Sequence, residues 1–358
     1  MEPKRERTAA AGIRRALLSF YRRSRRDLPW RKRRDPYAIW ISEVMLQQTQ
    51  VATVAPRFEE FLGRFPDIAS LARADEEAVC EAWAGLGYYR RARHLHRAAR
   101  TLVERFDGRL PVVKQELRKL PGIGDYTAAA IASIAFGERE AAVDGNLVRV
   151  LARVFALPGR ASDPALMASV RERAKRLVDC ESPGEVNQSL MDLGATLCRP
   201  ESPLCATCPL GRFCLARKLG RATAYPGKKQ KARRGFLRVA FAFVEHGSKV
   251  LLERRPLDGL WAGLWELPSA SGPRARRDLG LRLGQEPGPL LARVTHDLTH
   301  LRVHANVYRA ATRSNSRQRW WSDPLEAPLS SLARKAIVAV QDHAATSQRP
   351  PRHRRTPR

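Results

Sequence analysis

Apolar residues recur at intervals of three and four along the first part of the chain and alternate with polar ones further on. The helical spacing predicts helices over Ile13–Tyr21, Pro36–Val51, Val54–Arg64, Asp67–Ala72, Glu76–Trp83 and Arg90–Phe106. An amphipathic run from Leu110 to Leu120 stops at Pro121, and an alanine-rich helix begins after Gly124. Past a basic stretch the pattern shifts to strands: Phe236–Glu245 and Lys249–Arg254 flank His246-Gly247 as a hairpin, with Leu291–Asp297 and His300–Ala310 following. This divides the chain into a disordered leader (1–10), a helical domain (11–218), a basic linker (219–234), an α+β domain (235–342) and a disordered basic tail (343–358). There are no internal repeats.

Charge narrows the partner. Lysine and arginine total 65 against 36 acidic residues, a formal charge of +29 spread along the whole length. Such a surface favours a polyanion, either nucleic acid or an anionic membrane. No apolar run approaches the roughly 18 residues of a spanning helix, and no charged n-region precedes an apolar one. Nucleic acid is therefore the expected partner, with no membrane and a cytoplasmic, nucleoid-associated location.

Candidate chemistry gathers around Leu120-Pro121-Gly122-Ile123-Gly124-Asp125-Tyr126-Thr127. A Gly-x-Gly turn between two helices makes a helical hairpin, and the N–H groups opening its second helix suit a phosphate. Glycine at 122 and 124 permits positive φ and close approach of another backbone; equally, the turn alone could require it. Glu43 stands among Ile39, Trp40, Ile41, Val44 and Met45, where partial desolvation would raise its pKa into the range of a general acid. The alternative is a solvated stripe shared with Gln47 and Gln50. Asp144-Gly145-Asn146 ahead of Leu147 to Leu151 reads as a helix start, with Asp144 or Asn146 as its N-cap. Beside the hairpin Asp144 could also face a developing positive charge, giving two carboxyl groups with separate tasks.

Cys198, Cys205, Cys208 and Cys214 follow the spacing C-x6-C-x2-C-x5-C, and Cys80 and Cys180 stand apart. Without a secretory signal, metal ligation is favoured over disulfides. Zinc sites usually pair two short knuckles, and only one is present, so four thiolates around a [4Fe-4S] cluster fit better.

Taken together, these segments resemble the adenine DNA glycosylase (MutY) family of base-excision repair, over residues 13–340. The likeness rests on Leu28-Pro29-Trp30-Arg31, Ser42-Glu43-Val44-Met45-Leu46-Gln47-Gln48-Thr49-Gln50-Val51 and Gly85-Leu86-Gly87-Tyr88-Tyr89. It rests also on the hairpin, Val143-Asp144-Gly145-Asn146 and the cysteine quartet. The resemblance implies a mainly α helix-hairpin-helix DNA glycosylase with a [4Fe-4S] loop, followed by an α+β Nudix-like C-terminal domain. The implied substrate is duplex DNA carrying adenine opposite 8-oxoguanine or guanine, bound by a monomer.

Residue roles follow from the same likeness. Glu43 would protonate a flipped adenine, Asp144 would stabilise the sugar cation, and Asn146 and Tyr126 would orient them. Arg26, Trp30, Arg31 and Gln188 would line the adenine pocket, while Gln48, Thr49, Leu86 and Tyr88 lie at the opposite base and the point of intercalation. Gly122 and Gly124 would hold phosphate. Endonuclease III-type relatives carry a lysine where this chain has Tyr126; a phenol cannot form an imine, so a monofunctional enzyme is expected. In the last domain, Asp258-Gly259-Leu260-Trp261 and the residues to Pro268 match the Nudix-like module, but no glutamate-rich helix follows to hold Mg²⁺. Leu298-Thr299-His300 matches the family's Phe-Ser-His loop for 8-oxoguanine, with leucine replacing the aromatic. An endonuclease III-like lyase and a non-catalytic DNA-binding or sensing module remain the alternatives.

Overall fold

The computed structural model describes residues 2–33, 35–228, 234–256, 259–298, 300–311 and 318–347. It separates into two units, Met1–Gln230 and Lys231–Arg358. The first is helical: α1 (Glu2–Ser24), a 3₁₀ turn (Pro29–Arg31), α2 (Pro36–Met45), α3 (Val51–Arg64), α4 (Ile68–Arg73), α5 (Glu76–Ala82) and α6 (Arg90–Phe106). Then come α7 (Lys114–Leu117), α8 (Asp125–Ala135), α9 (Gly145–Val154), α10 (Pro164–Val178), α11 (Pro183–Thr196) and α12 (Leu215–Lys218).

One core forms where α1, α9, α10 and α11 bury Leu17, Leu147, Leu151, Val170, Leu190 and Leu193. On the α2–α6 side, Trp40, Phe58, Phe61, Leu71, Trp83 and Leu95 are fully buried. Helix α8 packs against both α2 and α11. Its alanines, Ala128 to Ala130 and Ala132, are completely buried and let backbones approach from both sides. The functional cleft opens where these three helices meet.

Helix α2 shows why its position is fixed. Asp35 caps it, accepting from the N–H groups of Tyr37 (3.1 Å) and Ala38 (3.0 Å), and Pro36 supplies the first-turn φ. Every residue from Tyr37 to Met45 is buried, as expected of a helix that is apolar all round. It ends at Met45, six residues earlier than its pattern suggests. Gln48 takes φ +59°, which breaks the helix, and the buried Arg91 guanidinium donates to the carbonyls of Val44 (2.8 Å) and Met45 (2.7 Å).

The expected leader is instead helical from Glu2, since alanines at 9–11 and buried Ile13 and Leu17 favour extending one helix. Much of the expected linker also belongs to the first unit. Arg153 Nε donates to the Tyr225 carbonyl (3.0 Å), and the Gly227 N–H donates to the Gly159 carbonyl (2.8 Å).

The second unit holds two sheets. One has the order β5 (Ser269–Ser271), β1 (Gly235–Phe243), β7 (Leu301–Arg309), β6 (Leu290–Asp297), with β1 and β7 parallel. The other joins β2 (Glu245–His246), β3 (Lys249–Arg254) and β4 (Trp265–Glu266), with β8 (Gln318–Trp321) also on β3. Period-two alternation sends Val239, Phe241 and Phe243 into the core containing Leu332, Ala336 and Ile337 of α14 (Ser331–Ser347). Ala240 and Ala242 face the other way, onto Ala275 and Leu279 of α13 (Ala275–Leu283). The expected hairpin at Gly247 is β2–β3; β1 stops at Phe243 and belongs to the other sheet. Helix α13 carries Arg276, Arg277, Arg282 and one acid, Asp278, so it offers no glutamate cluster for Mg²⁺. Helix α14 runs through Ser347, beyond the expected domain end at 342. Among the described residues no helix is long and apolar enough to cross a membrane.

Candidate functional site

A cleft of about 330 Å³ is lined by Arg26, Trp30, Arg31, Glu43, Thr49, Tyr126, Asp144, Asn146 and Gln188, together with Met191 and Ala195. These residues come from five separate stretches of sequence, and that volume suits a small planar ligand. Glu43 projects from the buried α2 and is 6% exposed. Burial pushes its carboxyl up to about 7; the neighbouring Asp144 charge adds to this, while the Tyr126 hydrogen bond and Arg31 oppose it. The Tyr126 hydroxyl donates to Glu43 Oε2 at 2.9 Å. Burial and the two carboxylates hold the phenol well above its usual range, so it remains a donor.

Asp144 caps α9 with Oδ1, which accepts the Leu147 N–H at 2.7 Å. Its Oδ2 accepts from Asn146 Nδ2 at 2.9 Å. Both oxygens thus act as acceptors, the role of an ionised carboxylate. Capping and cleft-lining prove compatible: the residue that starts the helix also faces the cavity. Asn146 is held in turn by Arg149, whose Nη2 donates to Asn146 Oδ1 (2.7 Å) and the Gly194 carbonyl (2.9 Å). A Cβ at Gly194 would lie 2.6 Å from that of Asn146, so only glycine lets α11 approach. Upstream, fully buried Asn187 fixes the segment leading to Asp144. Its Oδ1 accepts the Ala142 N–H (3.1 Å), and its Nδ2 donates to Ser133 Oγ and the Glu140 carbonyl (both 2.8 Å).

Trp30 lies edge-on against Phe58 (5.6 Å) and is 7% exposed. Arg26 and Arg31 both bind Asp192 of α11, a residue the sequence reading passed over. It lies four positions after Gln188, hence on the same helix face. Arg149 and Asn187 were also missed. An isolated helical Arg or Asn carries no signal of its partners.

Gln48 and Tyr88 fall outside this cleft. With Gln47, Arg91, His94 and Gly122 they line a second cavity of about 250 Å³. Both hold positive φ (59° and 49°), and Tyr88 is 55% exposed. Arg91 braces this corner: it donates to Thr49 Oγ1 (2.9 Å) and to the carbonyls of Leu86 and Gly87 (both 3.0 Å), and lies against the Trp83 and Tyr88 rings. Leu86 lines neither cavity; its side chain is buried, and its carbonyl makes the contacts. Gly122 has φ +79°, and a Cβ there would meet His94 Cβ at 2.6 Å. Gly124 differs from expectation. Its φ is −85°, with open space where a Cβ would be, and it caps α8.

Cys198, Cys205, Cys208 and Cys214 line one cavity, and their charges interact mutually. Burial pushes the Cys208 thiol up to about 11 and raises that of Cys214, so these two stay neutral unless a cation stands beside them. Among the described residues no group of three His, Cys, Asp or Glu could hold a single metal ion. Four cysteines lining one cavity match the ligand set that would hold a [4Fe-4S] cluster. Buried Arg153 ties the loop down through the carbonyls of Arg199 (2.7 Å) and Pro200 (2.6 Å) and reaches Cys198 Sγ (3.4 Å). Arg149 Nε donates to the Cys198 carbonyl at 2.8 Å, linking the loop to Asn146.

In the second unit His300 is exposed, and its carbonyl accepts the Gly235 N–H at 2.9 Å; Thr299 and Asp258 lie outside the described residues. Leu298 packs against the core of its own unit.

Residues 41–176 match the HhH-GPD superfamily of base excision DNA repair proteins, and residues 239–339 match the NUDIX domain. The adenine DNA glycosylase of Rattus norvegicus is 36% identical over 92% of this chain and 78% of its own length. That of Homo sapiens is 36% identical over 86% and 68%. That of Buchnera aphidicola subsp. Schizaphis graminum is 33% identical over 71% and 73%. Among solved structures, a thermostable thymine-DNA glycosylase superposes with a TM-score of 0.55 at 28% identity, covering 61% of this chain and 100% of that one. Endonuclease III trapped as a covalent DNA intermediate gives 0.50 at 25%, covering 59% and 98%. The cleft, the helical hairpin and these relatives agree: the chain is a DNA glycosylase and belongs to the adenine DNA glycosylase family.

Proposed function

We propose that this enzyme is a monofunctional glycosylase that hydrolyses the N-glycosidic bond of adenine mispaired with 8-oxoguanine, or with guanine, in duplex DNA. The observation that carries the proposal is the buried Glu43 carboxyl, hydrogen-bonded to the Tyr126 phenol and sharing one cleft with Asp144. A base within a duplex is out of reach, so the adenosine must flip into the cleft. Neutral adenine is a poor leaving group. Glu43, with its proton retained near neutral pH, protonates N7, and the C1′–N9 bond then breaks with its electrons leaving on adenine. Asp144 stabilises the oxocarbenium-like sugar, and water adds at C1′ and gives its proton to the Glu43 carboxylate that the first step left. Asn146 and Tyr126 orient the two carboxyl groups. Arg26, Trp30, Arg31 and Gln188 surround the base. No amine stands at 126 to form an imine with the opened sugar, which is why strand cleavage is not part of the reaction.

Gln48, Thr49 and Tyr88, with the Leu86 carbonyl behind them, act at the opposite base and the intercalation point. The N–H groups at Gly122 and Gly124 hold a phosphate at the start of α8. Cys198, Cys205, Cys208 and Cys214 hold a [4Fe-4S] cluster, which when bound orders the arginine-rich loop against DNA. Thr299 and His300 read 8-oxoguanine. The test is single-turnover base removal from adenine opposite 8-oxoguanine, guanine or thymine. The order of rates should be 8-oxoguanine, then guanine, then thymine, and Thr299→Ala with His300→Ala should narrow the first gap. Equal rates opposite all three bases would defeat the mispair assignment.

A further inference from the structure

The two arginines of the cleft are held unequally, and one buried carboxylate makes the difference. Asp192 on α11 has a side chain only 1% exposed. Arg31 gives it both terminal nitrogens, Nη1 at 2.6 Å and Nη2 at 3.0 Å, and lies over the Tyr21 ring. The Arg31 side chain is 8% exposed and immobilised. Arg26 gives Asp192 its Nε (2.5 Å) and backbone N–H (3.4 Å). Its terminal nitrogens have no hydrogen-bond partner among the described residues, and its side chain is 30% exposed. A purine offers ring nitrogens as acceptors, and a free guanidinium fork is a matching donor.

A buried charge cluster is seldom the most stable way to fill space, so its use is sought in what it positions. We propose that Asp192 is a positioning residue: it locks Arg31 into the cleft wall, leaves the fork of Arg26 free for the base, and keeps the net charge of this trio at one positive instead of two. The inference rests on the reading of Glu43 as the general acid. The groups facing Glu43 are Tyr126 from α8, Asp144 at the start of α9 and Arg31 from the 3₁₀ turn. Arg26 and Asp192 stand with Arg31, and Arg91 of α6 meets the end of α2 at the carbonyls of Val44 and Met45. Arg31 draws the Glu43 pKa down, and a carboxylate paired with Arg31 at 2.6 Å weakens the field of that guanidinium. Removing that carboxylate charge makes Glu43 lose its proton at lower pH.

The test uses the full-length protein and single-turnover adenine release across pH, for wild type, Asp192→Asn and Asp192→Glu. In wild type the rate should fall as pH rises through about 7, where Glu43 loses its proton. In Asp192→Asn this alkaline limb should move down by about half a unit or more, an extra loss of roughly threefold at high pH that is nearly absent at about pH 6. Asp192→Glu should return the limb toward its wild-type position. A loss by the same factor at every pH, or an unshifted limb, overturns the proposal. If Asp192→Asn does not fold, the charge-balanced pair of Asp192→Asn with Arg31→Gln carries the test. Its limb should match wild type, and Arg31→Gln alone should move the limb upward; the opposite pattern overturns the proposal. A wild-type rate with no alkaline limb sinks the reading of Glu43 itself, a result distinct from failure of the Asp192 variants.

Discussion

Glutamine at position 43 keeps the size and the acceptor for the Tyr126 hydroxyl but removes the ionisable group. Glu43 sits at about 7 in the folded protein against 4.5 for an ordinary glutamate, because burial disfavours its charge. The sign follows directly. The folded state binds this proton more tightly than the unfolded chain, so Glu43 costs no stability well below pH 4.5. It costs progressively more as pH rises to about 7, and a constant amount above that. The rise from 4.5 to about 7 makes the full cost about 3 kcal/mol. At about pH 5 less than about 1 kcal/mol applies. Glu43→Gln should therefore be more stable than wild type at about pH 8, by about 5–10 °C in Tm for a domain of this size, while losing base release. The assay is thermal melting of both proteins at about pH 5 and about pH 8, followed by far-ultraviolet circular dichroism. What counts is the change in their difference between the two pH values. A difference that stays constant, or a glutamine variant less stable at high pH, would show that Glu43 is not a desolvated carboxyl and would remove the basis for its role as acid.

Other expectations follow from the same geometry. Gly122→Ala should cost about 2–4 kcal/mol, since positive φ and a 2.6 Å approach to His94 Cβ both oppose a side chain, as a denaturant titration would show. Gly124→Ala should cost only about 0.5–1 kcal/mol, as an N-cap change into open space, yet weaken duplex binding at the start of α8. Equal effects of the two substitutions would contradict that division. Arg91→Met should destabilise by about 3–5 kcal/mol, because the carbonyls of Val44, Met45, Leu86 and Gly87 lose their donor. Arg91→Lys should recover little, since an ammonium lacks the planar fork that spans these acceptors; full recovery in a melt would refute the bracing role.

Much of this architecture was legible in the sequence. Helical spacing gave α3 to α6 close to their ends, and Glu43 stood out because a carboxylate among Ile39, Trp40, Ile41, Val44 and Met45 conflicts with its surroundings. What escaped was the effect of residues distant in sequence. The helix at Pro36 appeared to run on to Val51 because nothing local announces that Arg91 takes the carbonyls at its end. Asp192 was invisible for the same reason: its partners lie more than 160 residues away. The family resemblance placed Leu86 with Tyr88 at the point of intercalation, but in space its side chain turns inward while Tyr88 stays exposed. At Gly124 the residue type suggested unusual backbone geometry, whereas its conformation is ordinary and the opening it leaves is the distinguishing feature.

The most direct test of the central claim follows one duplex carrying adenine opposite 8-oxoguanine through a single turnover. Each time point is split for free adenine, for strand breaks with and without hot alkali, and for borohydride trapping, with Glu43→Gln and Asp144→Asn in parallel. The predicted result is adenine release matched by breaks that need alkali, no efficient trapped adduct, and loss of both signals in the two variants. Breaks without alkali accompanied by a trapped adduct, or tight binding with no adenine released by the wild type, would contradict a monofunctional glycosylase built on this pair of carboxyl groups.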